Sequence, residues 1–244
     1  MLIKTRGIVL RQTKYGESSI ITDIFTEEKG LQTYIISGVR TKGAKVKSSL
    51  FQPMSILDLV VYYKEGSQSV QRIKEVRSAL PYQSIPFQIA KGGVGLFLTE
   101  VLRNAVHEPE PNTDLFVFVY EVFQYLDETH QSVSNVPLWF MLHLSQWLGF
   151  QPGGRKSERT PVFDLRSGSF EARSPKSHDH WLGEKLAGHW QFLLDQPLAE
   201  AHNLHLTAHE RRQLLRFTID YYALHLENFQ TPQSHLILEQ ILHG

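Results

Sequence analysis

Residues 5–39, TRGIVLRQTKYGESSIITDIFTEEKGLQTYIISGV, decide the fold. They divide into TRGIVLRQ, SSIITDIFT and LQTYIISGV, each short, rich in β-branched residues and bounded by turn residues. The breaks fall at Tyr15-Gly16-Glu17 and Glu28-Lys29-Gly30, where glycine supplies the positive φ that tight turns need. Two further segments follow, MSILDLVVYY at 54–63 and SVQRIKEV at 69–76, separated by Lys64-Glu65-Gly66-Ser67. In the last segment Ser69, Gln71 and Lys74 alternate, imperfectly, with Val70, Ile73 and Val76. Five strands in about eighty residues suit an OB-fold, a partly open Greek-key barrel. An SH3-like barrel fits the same strand count.

Beyond Pro81 and Pro86 the period becomes helical. FQIAKGGVGLFLTEVLRNAV (87–106), TDLFVFVYEVFQYLDETH (113–130) and VPLWFMLHLSQWLGF (136–150) carry dense apolar faces and should pack on one another. The prolines of HEPEPN (107–112) separate the first two. Thr207-Ala208-His209-Glu210 has the capping-box pattern and opens a helix expected to reach about Glu227. Residues 149–175 interrupt the helices with Gly, Ser, Pro and Arg, and VFDLRSGSFEA within them reads as a small hairpin. The fold expected is α+β: an N-terminal OB-fold β-barrel over 1–80, then an all-helical C-terminal domain over 81–244 with a small hairpin insertion.

Charge divides along the same line. The formal net charge of +0 hides 13 Lys/Arg against 7 Asp/Glu in residues 1–80 and 12 against 18 in 81–244. A basic module joined to an acidic one prompts a nucleic-acid reading. The absence of Cys removes disulfides, thiolate metal sites and cysteine nucleophiles, and fits a reducing cytosol. Charges at positions 4, 6 and 11 leave no secretory apolar core, and no window reaches membrane-spanning length, so a cytoplasmic location without membrane contact is expected.

The strongest chemical signal is GVRTKGAKVKSSLFQP, residues 38–53, with Arg40, Lys42, Lys45 and Lys47 and no acid among them. Cations grouped in this way suit phosphate contacts, whose affinity comes from counterion release and is largely independent of sequence. Arg6, Arg11 and Lys14 join them as DNA-binding candidates if the first strand brings them near. A solvated surface loop remains the alternative. Tyr15, Phe25, Tyr34, Phe51, Tyr62 and Tyr63 are rings that could stack on bases, although a small barrel needs such bodies for its core. Tyr62 and Tyr63 are adjacent, so one should face solvent.

Other motifs carry less. KGGVG (91–95) is neither a P-loop nor a dinucleotide fingerprint and reads better as close helix packing. His178 and His180, and His202, His205 and His209, lack the spacing and carboxylates of a metal site, and HERRQ lacks the second His of a zinc protease. No nucleophile elbow, kinase signature or SxxK motif supports catalysis, so neither catalytic residues nor a cofactor are assigned.

The order of TRGIVLRQTKYGESSIITDIFTEEKG, SGVRTKGAKVKSSLFQPMSILDL, LSQWLGFQP and FDLRSGSF resembles the RecO family of bacterial recombination mediators nearly end to end. The resemblance implies an N-terminal OB-fold and a helical C-terminal domain. It implies binding to single- and double-stranded DNA, strand annealing, and two protein partners: RecR and the acidic C-terminal tail of single-stranded-DNA-binding protein. With RecR, the family helps place RecA on coated strands. Arg211, Arg212 and Arg216 are candidate cations for the tail, 212 and 216 being four apart on one helix; a solvated helix face is the alternative. Many members carry a four-cysteine zinc site in the hairpin that 149–175 resembles. This chain has no cysteine, and Phe163, Gly168 and Phe170 suggest a hairpin kept by apolar packing instead.

Overall fold

The computed structural model describes residues 1–64, 70–107 and 110–242. Glu65, Gly66 and Ser67 of the expected fourth turn, Ser69 of the fifth segment, and Glu108 and Pro109 of the linker lie outside them. Two compact units emerge, one of residues 1–87 and 106–128, the other of 88–105 and 129–244.

The first unit is built on β1 (Leu2–Tyr15), β2 (Ser19–Thr26), β3 (Gly30–Ile36), β4 (Ile56–Tyr62) and β5 (Gln71–Leu80). They close into a barrel in the order β1-β2-β3-β5-β4, antiparallel throughout except for the β3–β5 pair. The result is the OB-like barrel that the strand pattern predicts. Closure requires β1 to serve two neighbours: residues 2–8 pair with β4 and residues 7–15 with β2. A bulge between Val9 and Arg11 bends the strand between these tasks. Gly7 sits at the overlap because a Cβ there would fall 2.5 Å from Ile24 Cγ2.

Val9, Ile20, Ile24, Tyr34, Leu57, Leu59 and Val61 fill the barrel. Val39 and Phe51, from the long β3–β4 connection, belong to the same core, with Val46 and Leu50 packed against it. The fifth strand departs from the expected alternation. Gln71 is buried, Val70 is exposed, and the three-residue step from Ile73 to Val76 is absorbed by an irregularity opposite Val60 and Val61. There Lys74 and Glu75 are both exposed, and the bulge restores the inward phase at Val76.

Six helices occur among the described residues: α1 (Ile89–Ala105), α2 (Thr113–Glu128), α3 (Val136–Trp147), α4 (Glu184–Asp195), α5 (Ala208–His225) and α6 (His235–Ile241). Of the three helices expected to pack on one another, α1 and α3 do so within the second unit. α2 belongs to the barrel unit, where Phe116 meets Phe25 at 5.9 Å and Phe123 meets Tyr82 at 6.5 Å. Asp127, near its C-terminus, accepts the backbone N–H groups of Gln83, Ser84 and Ile85 at 2.8–2.9 Å. Among the described residues no helix is long and apolar enough to cross a membrane.

In the second unit α1 packs on α3 and α6, and Gly93 allows the closer approach. A Cβ there would lie 2.8 Å from Ile241 Cδ1, so this one glycine of KGGVG serves close helix packing. The hairpin is present as β6 (Val162–Asp164) and β7 (Ser169–Glu171), with an unforeseen third strand, β8 (Trp181–Leu182), on the other side of β6. Phe163 anchors it with centroids 5.0 Å from Phe170, 4.9 Å from Trp190 and 5.9 Å from Tyr221. α5 starts with the predicted capping box: Thr207 Oγ1 accepts from Glu210 N, and Glu210 Oε2 accepts from Thr207 N.

Two outcomes follow for the second unit. Replacing the fully buried ring in Phe163→Ala removes the contact shared by the hairpin, α4 and α5, and costs about 3–5 kcal/mol in a urea unfolding titration. Lys185 first, and then the donors of Thr207, hold the Glu210 carboxyl down at about 2. Because this folded value lies below the ordinary carboxylate value of about 4.3, the contribution is intact above that pH and is lost as pH falls toward 2. Acid unfolding of Glu210→Gln, followed by circular dichroism, shows less loss over that window than the wild type.

Candidate nucleic-acid interface

The β3–β4 connection owes its shape to alternating demands. Val39, Val46, Leu50 and Phe51 turn inward to the barrel core, and the charged residues between them are left outside. Gly38 takes φ 74°, and Thr41 Oγ1 donates to its carbonyl at 2.8 Å. The carbonyl of Thr41 accepts from Gly43 N at 3.0 Å and Ala44 N at 3.2 Å. Gln12 Nε2 donates to Ser48 O at 3.0 Å, and Ser48–Phe51 form a short 3-10 turn. The loop is therefore tied along its length to β1 and to its own backbone.

Arg40, Lys42, Lys45 and Lys47 are all exposed. Arg40, Lys42 and Lys47 line one depression, and Lys45 lines the next, with Val39 common to both. Arg40 Nη1 donates to Gly16 O at 2.9 Å, and Arg40 N to Ser18 O at 3.1 Å, which binds the loop to the β1–β2 turn just beyond Lys14. None of these four cations is in an ion pair among the described residues. Lys14 is exposed; Arg11 is exposed too, but lies directly across from Asp23, which offsets part of its field.

Arg6 is placed differently. Its Nε and Nη2 donate to Glu27 Oε2 and Oε1 at 2.8 and 2.7 Å, and the guanidinium lies 4.9 Å from the Tyr120 centroid and 5.3 Å from that of Phe116. The hydrogen bonds from Arg6 hold the Glu27 carboxyl below the usual carboxylate range. Arg6 thus fastens α2 to the barrel, and its charge is neutralised within the fold. The first strand does not bring Arg6 into the depressions of the loop cations: it lines a separate one with Glu27, Asp58 and Glu75.

Sequence reasoning overlooked Arg72. It is exposed on β5 beside Ile35 and lines the depression that holds Lys45. The missed signal is the bulge, which breaks simple alternation along the strand. Phe25, Tyr34 and Phe51 are core rings, each no more than 1% exposed. Tyr63 carries the Lys29 ammonium 4.8 Å from its centroid, while Tyr15 and Tyr62 are open.

On α5, Arg212 and Arg216 are exposed one turn apart. Arg211 is half-buried, donating through Nε to Asn135 Oδ1 and through Nη2 to Leu206 O, both at 3.3 Å, and burial lowers its pKa. It is engaged inside its own unit and does not share the exposure of the other two. The histidines are dispersed: His202 and His205 meet backbone carbonyls, and His178 lies 3.6 Å from Asp164. No group of three His, Cys, Asp or Glu suited to a metal ion occurs among the described residues.

A five-stranded basic barrel followed by a helical region with a hairpin defines a class that sequence comparison identifies. Residues 1–82 match the family described as Recombination protein O N terminal, and residues 86–235 match Recombination protein O C terminal. The chain belongs to the RecO family of DNA repair proteins. It is 34% identical over 243 residues to the DNA repair protein RecO of Christiangramia forsetii. It is 32% identical over 241 residues to that of Bacteroides fragilis, and 32% over 242 to that of Flavobacterium psychrophilum. Each alignment covers 99% of both chains.

Arg6→Ala separates structural from ligand-facing charge. It lowers barrel stability by about 1–3 kcal/mol in denaturant unfolding, while the salt dependence of oligonucleotide affinity keeps its wild-type slope.

Proposed function

We propose that this chain is a non-catalytic mediator of DNA repair and homologous recombination that binds single- and double-stranded DNA through the cationic loop of its barrel. The observation that carries this reading is the interleaving of Val39, Val46 and Phe51, held in the core, with Arg40, Lys42, Lys45 and Lys47, all exposed and without carboxylate partners among the described residues. Family membership supports it from an independent direction.

Annealing follows from the charge. Two phosphate chains repel, and a surface that screens both lets base pairing proceed without any bond being broken. In the same reading RecR and the acidic C-terminal tail of single-stranded-DNA-binding protein are partners, and the chain with RecR helps load RecA onto strands that protein coats. Arg212 and Arg216 supply charge suited to the tail. The activity belongs in the cytoplasm, at the nucleoid.

Fluorescence anisotropy with oligonucleotides of unrelated sequence tests the central step. The triple variant Lys42→Ala, Lys45→Ala, Lys47→Ala weakens binding across all sequences. It also reduces the slope of log affinity against log salt by up to about 2 on single strands. An unchanged slope assigns the loop to an acidic protein partner and removes the DNA reading.

A further inference from the structure

We infer that Tyr62, at the end of β4, is a stacking site for one unpaired base, with Arg72 beside it linking that base to the phosphates held by the cationic loop. This rests on the reading of the barrel as a DNA-binding surface and adds to it a residue that distinguishes single strands from duplex.

The placement comes from strand register. Tyr62 stands directly opposite Arg72 on β5 and Leu2 on β1, and Arg72 stands beside Ile35 on β3, which faces Ile21 on β2. Residues opposite one another share a face, so these five form one outward row around the barrel. Tyr62 is 51% exposed. Tyr62 is thus an open aromatic ring in the middle of such a row, whereas Phe25, Tyr34 and Phe51 are spent on the core.

Three features favour a base over other occupants. The depression at Tyr62 is lined by Leu2, Val70, Lys64 and Arg72, with no carboxylate among the described residues that line it, so these give it an apolar floor with positive edges. Arg72 also lines the adjoining depression with Lys45, and that one shares Val39 with the depression of Lys42 and Lys47. Cations and ring thus lie along one continuous track, the combination of backbone-following charge and stacking platform that single strands require. Tyr63, by contrast, already holds the Lys29 ammonium over its ring. A duplex keeps its base faces inside the stack and cannot offer one to Tyr62, whereas its phosphates still reach the loop.

Anisotropy titrations with an unstructured oligothymidylate and a duplex of equal phosphate number test the site. Tyr62→Ala weakens single-strand binding about tenfold, the loss of one base stack, changes duplex binding less than twofold, and leaves the salt slope of both unaltered. Tyr62→Trp retains wild-type affinity, and Tyr62→Leu, which keeps apolar bulk in the strand, weakens single-strand binding as alanine does. This pair decides the matter if the alanine variant is poorly folded. Equal losses on both DNA forms, or full affinity in Tyr62→Leu, overturn the stacking site. The loop triple variant measured alongside separates the two readings. If it loses affinity and slope while Tyr62→Leu loses nothing, only the stacking site fails and Tyr62 belongs to another contact, such as a protein. If neither responds, the DNA reading itself fails.

Discussion

The cationic loop is only as useful as its attachment, and the attachment is hydrophobic. Val39 and Phe51 are almost completely buried in the barrel core, with Val46 and Leu50 packed against it. A loop of this length with four like charges would otherwise spread, since mutual repulsion and chain entropy both favour extension. Burial of the apolar residues opposes this and holds the cations at a fixed surface. The hydrogen bond from Arg40 to Gly16 adds a polar tie to the neighbouring turn. The same connection thus contributes to the barrel core and displays the charge, which links the stability of the unit to its electrostatic character.

Much of this was legible in the sequence. The turn residues Gly16 and Gly30, both at φ 58°, sit where strand-like segments break, and the acid-free run at 38–53 stands out by composition alone. Other features depend on contacts that local pattern does not encode. Arg6 looks like one more basic residue until Glu27, twenty-one positions on, is seen to grip it. The bulge at Lys74–Glu75 costs one position of alternation, enough to invert the expected roles of Val70 and Gln71 and to conceal Arg72. α6, at seven residues, is too short for a helical period to stand out, and α4 follows directly on the irregular stretch 149–183. α2 was recognised as a helix, but its amphipathic face does not say which surface it covers.

The hairpin of the second unit shows a different economy. Small β-sheets of two or three residues per strand are weak on their own and need an external anchor. Here Phe163 of β6 is fully buried and meets Trp190 of α4 and Tyr221 of α5, while Tyr221 and Tyr222 both lie within 5.5 Å of Phe150. His225 stacks parallel to Phe150 and bonds to Leu165 O, extending the contact into the segment between the strands. Overlapping rings, edge to face and tilted, give this sheet a rigid backing drawn from two helices.

The passage of the chain out of the barrel unit after residue 87 and back again at 106 has a consequence for dissection. The outer surface of the barrel that carries Arg6 and Phe25 is completed by a helix encoded some thirty residues downstream of the last strand. A fragment cut at the apparent end of the strands therefore keeps every hydrogen-bonded ladder yet bares an oily flank and a stranded ion pair. Such a piece invites self-association, and its solution behaviour would reflect a missing cover more than the properties of the intact protein.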